Sequence, residues 1–394
     1  MAKRTRKHVD DLRGAGRLAV EATRGVTSLV EAMHRTIGSG PAMLGKPLEG
    51  PVKLATAAVY GTIRGVSGAV GTGIDAALAG LGPVLGESTP GPVREAVLSA
   101  LCGVLGDYLE DTDNPLALSM QLRRGGILLP VTTPKAMAGA VAEPSSTILL
   151  TVHGSCMNDR QWRHRDHDHA DALASARGWT RVDTVYNSGL HISVNGRTLA
   201  ASLEDLVQGW PVPVERIVVL AHSMGGLVAR SACRAGDEAQ HRWRASLSDL
   251  VCLGTPHHGA PLERSGNGLD VLLSLSPYSA PLAALGKIRS AGVTDLRYGY
   301  VLDAHWEGRD RFEPGADTRE PLPLPQDVAC FAVAGQRGRG GDGLVPVDSA
   351  LGKHRDTEQT LGFPPEHTLV VPDAGHLDLL SHPEIYAQLE AWLG

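Results

Sequence analysis

Arg216-Ile217-Val218-Val219-Leu220-Ala221-His222-Ser223-Met224-Gly225-Gly226 joins an apolar, β-rich run to a small-x-Ser-x-Gly turn, and a helical pattern follows through Arg230. Such a junction predicts a strand that turns sharply into a helix and lifts the serine hydroxyl clear of the sheet. The positions two before and two after the serine must be small, because the strand and helix backbones nearly touch there. Ala221 and Gly225 meet that need, although glycine is commoner at the first of them.

Outward from this junction, six further β-rich runs are separated by helix-length segments: 127–131, 147–152, 182–186, 249–253, 328–334 and 368–371. Strands alternating with helices predict an α/β fold, a mostly parallel sheet with helices on both faces. In such sheets reactive residues gather beyond the C-terminal ends of the strands.

A serine becomes nucleophilic at neutral pH through an adjacent base, itself oriented by an acid. On a strand–turn–helix serine of this kind the acid and then the histidine follow in the chain. Gly341-Asp342-Gly343-Leu344-Val345-Pro346 lies beyond the strand at 328–334, and Ala374-Gly375-His376-Leu377 lies beyond the strand at 368–371. Asp342 is therefore the candidate acid and His376 the candidate base. Asp373 and Asp378 are close enough to His376 to shape its loop, and Asp348 sits where a helix begins. Acyl transfer also needs donors aimed at the developing oxyanion, each contributing about 3 kcal/mol. The amide of Met224 is one candidate. The loop His153-Gly154-Ser155-Cys156-Met157-Asn158 after the strand 147–152 offers the amide of Ser155 as the other.

With these pieces in place, residues 146–394 resemble the lipase/esterase branch of the α/β-hydrolases, in particular bacterial lipase-like proteins similar to GPI inositol-deacylases. The shared motifs are His153-Gly154, the turn 221–226, the segment Leu253 to Gly259, the acid loop 341–346 and Gly375-His376. The resemblance implies the α/β-hydrolase fold and hydrolysis of carboxylic esters, with a small-molecule or lipid ester as substrate. The same triad serves acyltransferases and thioesterases, and those readings stay open. So does an interaction protein built on a vestigial hydrolase domain.

Weaker signals flank this set. His153, His222, His257 (in Gly254-Thr255-Pro256-His257-His258-Gly259) and His191 (in Tyr186 to Ile192) are candidates for the substrate pocket. The run His164 to Asp171 contains His167, His169 and Asp171 in an HxHxD start, but Ala172 stands where a final histidine would be needed. It is read as a solvated helix start, with no metal. No cofactor is required.

The hydrolase region is taken as 116–394, with 262–322 as a cap or lid insertion whose first half carries Leu272, Leu273, Leu275, Leu282 and Leu285. Residues 1–115 form an N-terminal helical region of three helices, near 9–36, 52–82 and 90–108. The middle one carries Gly61, Gly65, Gly68, Gly71 and Gly73, a density that points to close backbone packing or to an interfacial membrane helix. Lys53, Arg64 and Asp75 interrupt it, which argues against a transmembrane span.

A net charge of −6 excludes the polycationic field of a general nucleic-acid binder. Five scattered cysteines form neither a disulfide framework nor a metal pair. Lys3, Arg4, Arg6 and Lys7 are followed by no apolar run, so a cytoplasmic protein, with peripheral membrane association through the N-terminal helices as an open alternative, is the expectation. Oligomeric state is not encoded in any of these motifs.

Overall fold

The computed structural model describes residues 13–18, 20, 91–131, 133–260, 289–311, 317, 319–338 and 340–394. The expected helices at 9–36 and 52–82 and the apolar first half of the insertion fall mostly or wholly outside them. The chain divides into two units, Met1–Pro90 with Asp111–Leu116, and Gly91–Glu110 with Ala117–Gly394. In the first, Asn114 Nδ2 donates to the carbonyl of Gly14 at 3.1 Å and Arg17 donates to that of Asp113 at 3.2 Å.

The second unit is built on an eight-stranded sheet: β1 Gln121–Arg124, β2 Ile127–Leu128, β3 Thr147–Val152, β4 Thr180–Val185, β5 Arg216–His222, β6 Leu247–Leu253, β7 Ala329–Gln336 and β8 Thr368–Pro372. Their spatial order is β2-β1-β4-β3-β5-β6-β7-β8. Every pair from β4 to β8 is parallel, and β1 runs antiparallel to both its neighbours. Each expected run becomes a strand, with ends moved by a few residues, but the run expected at 127–131 is strand only over Ile127–Leu128. β1 is an addition: Arg123 and Arg124 break its apolar pattern, and Arg123 is buried against Glu95 at 2.8 Å.

Among the described residues, six helices of seven residues or more flank the sheet: α1 Pro92–Asp111, α2 Pro134–Ala140, α3 His169–Arg177, α4 Ile192–Gly209, α5 Met224–Glu238 and α6 Pro383–Leu393. Alternation along the strands sorts them into layers. Leu149, Val218, Leu220, Val251, Leu253, Phe331 and Val333 face α3 and α6, where Leu173, Ile385, Leu389 and Leu393 complete one core. The opposite face carries α4 and α5, which approach until a methyl group at Gly196 would sit 2.3 Å from Ser231 Oγ. The central strands are buried on both faces, which is why they read as continuous apolar runs.

α1 belongs to this second unit rather than to the N-terminal region. Its Gly103 lies against Cys156, its Gly106 accepts from Asn187 Nδ2 at 2.9 Å, and Ser290 Oγ donates to Gly103 O at 2.6 Å. The described part of the insertion is thus anchored: Ala291–Asp295 is helical, and the amide of Ala291 donates to Asp107 Oδ2 at 2.9 Å. No described helix is long and apolar enough to cross a membrane.

The HxHxD run also differs from the expectation of a solvated helix start. Asp168 caps α3, accepting the amides of Ala170 and Asp171, but the His169 ring is fully buried. Its Nε2 meets the carbonyl of Leu379 at 3.2 Å, and its Nδ1 meets His167 Nε2 at 2.9 Å. Burial pushes the His169 imidazole down to about 4. No cluster of three or more side chains able to hold a metal occurs among the described residues.

Candidate active site

Ser223 ends β5 with φ 54° and ψ −126°, immediately before α5. A non-glycine residue in such a region costs about 1–3 kcal/mol, which the surrounding structure must overcome. Here the restraint is on both sides. The Ser223 amide donates to Leu253 O at 2.8 Å, and its carbonyl accepts from Gly226 at 3.1 Å. A methyl group at Gly225 would stand 2.1 Å from the carbonyl oxygen of Val152, so helix and strand can meet at this angle only over glycine. Gly226 is held equally close, its absent methyl 2.1 Å from Thr255 Oγ1.

Asp342 and His376 come together from the ends of β7 and β8. Gly341 at φ 109° and Gly343 at φ 97° turn the acid loop around Asp342. Its Oδ1 accepts the amides of Leu344 at 2.9 Å and Val345 at 2.7 Å, and its Oδ2 accepts from His376 Nδ1 at 2.7 Å. Burial alone would raise the Asp342 carboxyl, but His376 and the two amides outweigh it and hold it below the usual range. The His376 amide in turn donates to Asp342 O at 3.0 Å, so backbone and side chain fix the pair together. Asp378 shapes this loop by accepting the Gly375 amide at 2.9 Å. With Nδ1 engaged as donor, His376 Nε2 is the basic nitrogen, and it is buried without a hydrogen-bond partner.

His222, the residue before the serine, ties the two halves of the site. Its Nε2 lies 3.1 Å from the carbonyl of His376, and the two rings are 4.7 Å apart. Burial pushes His222 down to about 3, so it donates from Nε2 as a neutral ring. Gly254, at the end of β6, packs on the acid and base: its absent methyl would be 3.2 Å from both Asp342 Oδ2 and His376 Cε1.

The loop after β3 passes directly against the serine, since a methyl at Gly154 would be 3.0 Å from Ser223 Cβ. Met224, as the first residue of α5, has an amide with no acceptor within the helix. Cys156 has φ 62°, gives its own amide to Ser188 Oγ at 3.0 Å, and is buried so that its thiol is pushed up to about 11. Such a thiol stays protonated.

The four histidines expected to line a substrate pocket each make contacts within the protein. His222 is bonded to the His376 loop. His153 stacks on Tyr186 with centroids 4.2 Å apart and directs Nδ1 at Gly154 O at 2.7 Å. His191 stacks on Trp306 at 3.7 Å and meets Asp295 Oδ1 at 3.0 Å. His257 turns toward Arg230, its Nδ1 3.4 Å from the guanidinium. The sequence did not reveal the tie from His222 to His376, because the two are 154 positions apart and no local pattern links them.

A mostly parallel sheet with this strand order, a strained serine at the β5–α5 turn and an Asp–His pair beyond β7 and β8 define an α/β-hydrolase fold. Consistent with this, residues 143–317 match the model of the family described as PGAP1-like alpha/beta domain. The matched segment carries Ser223 and the His153–Asn158 loop and ends before Asp342 and His376.

Among solved structures, the chain is similar to the mature form of the lipase BlEst2 from Bacillus licheniformis, with 18% identity, coverage of 64% of this chain and 95% of that one, and a TM-score of 0.42. It is also similar to lipase B from Aspergillus fumigatus, with 13% identity, coverage of 67% and 59%, and a TM-score of 0.39. The esterase PF2001 of Pyrococcus furiosus shares 19% identity over 64% of this chain and 83% of its own, at a TM-score of 0.36. No curated protein matches the chain.

Proposed function

We propose that the protein is a serine hydrolase that cleaves carboxylic esters. The observation that carries this reading is the buried 2.7 Å contact between His376 Nδ1 and Asp342 Oδ2, which leaves His376 Nε2 unbonded at a site joined through His222 to Ser223. His376 Nε2 takes the proton of the Ser223 hydroxyl as its oxygen attacks the ester carbonyl. Asp342 orients the imidazole and stabilises the cation that forms. The amides of Met224 and Ser155 receive the oxyanion of the tetrahedral intermediate. That intermediate collapses to an acyl-enzyme, the protonated His376 gives its proton to the departing alcohol, and water activated by the same nitrogen releases the acid. The lipase- and esterase-like motifs favour an acyl ester, small or lipid, as substrate.

A fluorophosphonate probe tests the reading. The folded wild-type chain becomes labelled and Ser223→Ala does not; absence of labelling in folded wild-type protein would overturn it. A chain-length series of p-nitrophenyl esters then sets the acyl preference, with medium to long chains expected.

A further inference from the structure

Away from Ser223, a small recess, partly open to solvent, lies between α5, the loop after β6 and the segment leading to β7. Arg230, His257, His258, His305, Arg319 and Glu320 are among the residues lining it. Arg230 is 4% exposed and His257 1%. One terminal nitrogen of Arg230 lies 3.4 Å from His257 Nδ1 and the other donates to the carbonyl of Leu322. No carboxylate pairs with this guanidinium among the described residues, and its Nε has no hydrogen-bond partner. Arg319 is spent on the scaffold: it donates to the carbonyls of His257 and Gly299 at 3.1 Å each and to His258 Nδ1 at 2.6 Å, with Asp317 Oδ2 3.4 Å from its Nε.

The protons follow from these bonds. Accepting at Nδ1 leaves the neutral His257 ring with its proton on Nε2, and that atom too is buried without a partner. His258 directs its own Nε2 at Gly352 O, 2.9 Å away, and His305 directs its Nε2 at Glu320 O, 3.0 Å away. Arg230 Nε–H and His257 Nε2–H, on residues lining the recess, are thus left without acceptors, beside a guanidinium that has no carboxylate partner among the described residues; Arg319 Nε also lacks a hydrogen bond but has Asp317 beside it. The lining's single carboxylate, Glu320, is exposed and pairs with neither arginine. Burial pushes Arg230 down to about 10, which still leaves it charged. A desolvated cation without a counter-charge is costly, and each orphaned buried donor adds to that cost.

We propose that this recess binds a small oxyanion, phosphate as the free ion or as the terminal group of a phosphomonoester, held by Arg230 Nε and His257 Nε2. An anion there relieves both orphaned donors and the unpaired charge at once, and a planar guanidinium beside an N–H donor suits an oxyanion. The site ties the nucleophile-bearing helix, which carries Arg230 seven residues beyond Ser223, to the loop that holds Gly254 against the acid and base. It does not depend on the ester-hydrolase reading, because its readout is binding.

Thermal denaturation and titration calorimetry of the full chain with sodium phosphate, at ionic strength held constant with sodium chloride, test it. A saturable rise in Tm and a binding heat with phosphate are expected, both lost in Arg230→Gln. His257→Ala, which keeps the arginine, is expected to weaken phosphate binding by about tenfold and serves if Arg230→Gln does not fold. Glycerol 3-phosphate separates the sources: tighter binding than phosphate assigns the site to an esterified phosphate, weaker binding to the free ion. No saturable phosphate effect on the wild type, an equal effect of chloride, or undiminished binding in the folded variants would overturn the proposal.

Discussion

Asp342 shows how a single carboxylate serves geometry and electrostatics together. One oxygen closes the acid loop on the amides of Leu344 and Val345, and the other holds His376 in the tautomer with its proton on Nδ1. Asp342→Asn keeps the shape but offers an amide that donates as well as accepts, so the imidazole loses its charge partner and its fixed tautomer. A fall in kcat of about 10⁴ with a much smaller change in KM is expected. Steady-state kinetics on the ester chosen by the chain-length series measure it, and a kcat within tenfold of wild type would remove Asp342 from the proposed triad. The residues of this set were legible in the sequence because each lies one short turn beyond a strand, where local grammar places reactive side chains. His222 was legible only as a neighbour of Ser223. Its bond to the His376 carbonyl depends on how β5 and the loop after β8 meet, and that is a property of the sheet rather than of any segment.

At the scale of elements, α1 marks where sequence reasoning stopped. Its helical pattern is readable, but a pattern does not name the surface a helix packs on, and in sequence it groups with the helices before it. The signal that could have placed it is the pair Gly103 and Gly106, three residues apart on one helix face, with Gly189 as a partner of close approach, its absent methyl 2.1 Å from Cys102 O. A methyl at Gly103 would lie 2.2 Å from Cys156 Sγ and 3.0 Å from that residue's backbone, so the helix bears directly on the His153–Asn158 loop. Asn158 Nδ2 reaches Ser99 Oγ at 3.4 Å from the same loop.

Gly103→Val therefore either lifts α1 or shifts the loop. The expected result is a loss of about 1–3 kcal/mol by overpacking, read from urea unfolding, and a drop in kcat larger than the change in KM because the proposed Ser155 donor moves. Gly139→Ala in α2 is the control. No atom lies within 4 Å of its new methyl, and a gain of up to about 1 kcal/mol is expected. Equal stability and turnover in Gly103→Val and wild type would show that α1 does not hold the loop. β1 was missed for a different reason. Its two arginines hid a buried strand, and Arg123 is tolerated there because Glu95 on α1 and Asp159 pair with it and Gln121 accepts two of its hydrogen bonds.

For the molecule as a whole, the buried histidines set a common dependence on acidity. His153 and His169 are each pushed down to about 4 and His222 to about 3, in every case chiefly by burial. Unfolded, all three regain the ordinary value near 6.5. Between 6.5 and about 4 the unfolded chain consequently binds more protons than the native one, so native stability falls as pH falls through that window. Each histidine contributes at most about 1.4 kcal/mol per pH unit, and three together about 4. Asp342 acts in the same direction further down, since its folded-state value is lowered and its contribution is lost only as the carboxyl protonates. Asp183 and Asp295 oppose it. Burial raises both, so the native state takes up their protons first and gains stability just above their ordinary value. The histidine effect is therefore cleanest in the upper part of the window. Urea midpoints are expected to be flat above pH 7 and to fall between pH 6.5 and 5, with roughly two to three protons taken up on unfolding by these three rings and about as many again by His257, His258 and His305, which burial lowers likewise. A midpoint that stays constant or rises over that interval would mean that these rings are already protonated in the native state. Neutral His153 and His222 beside the serine would then no longer hold.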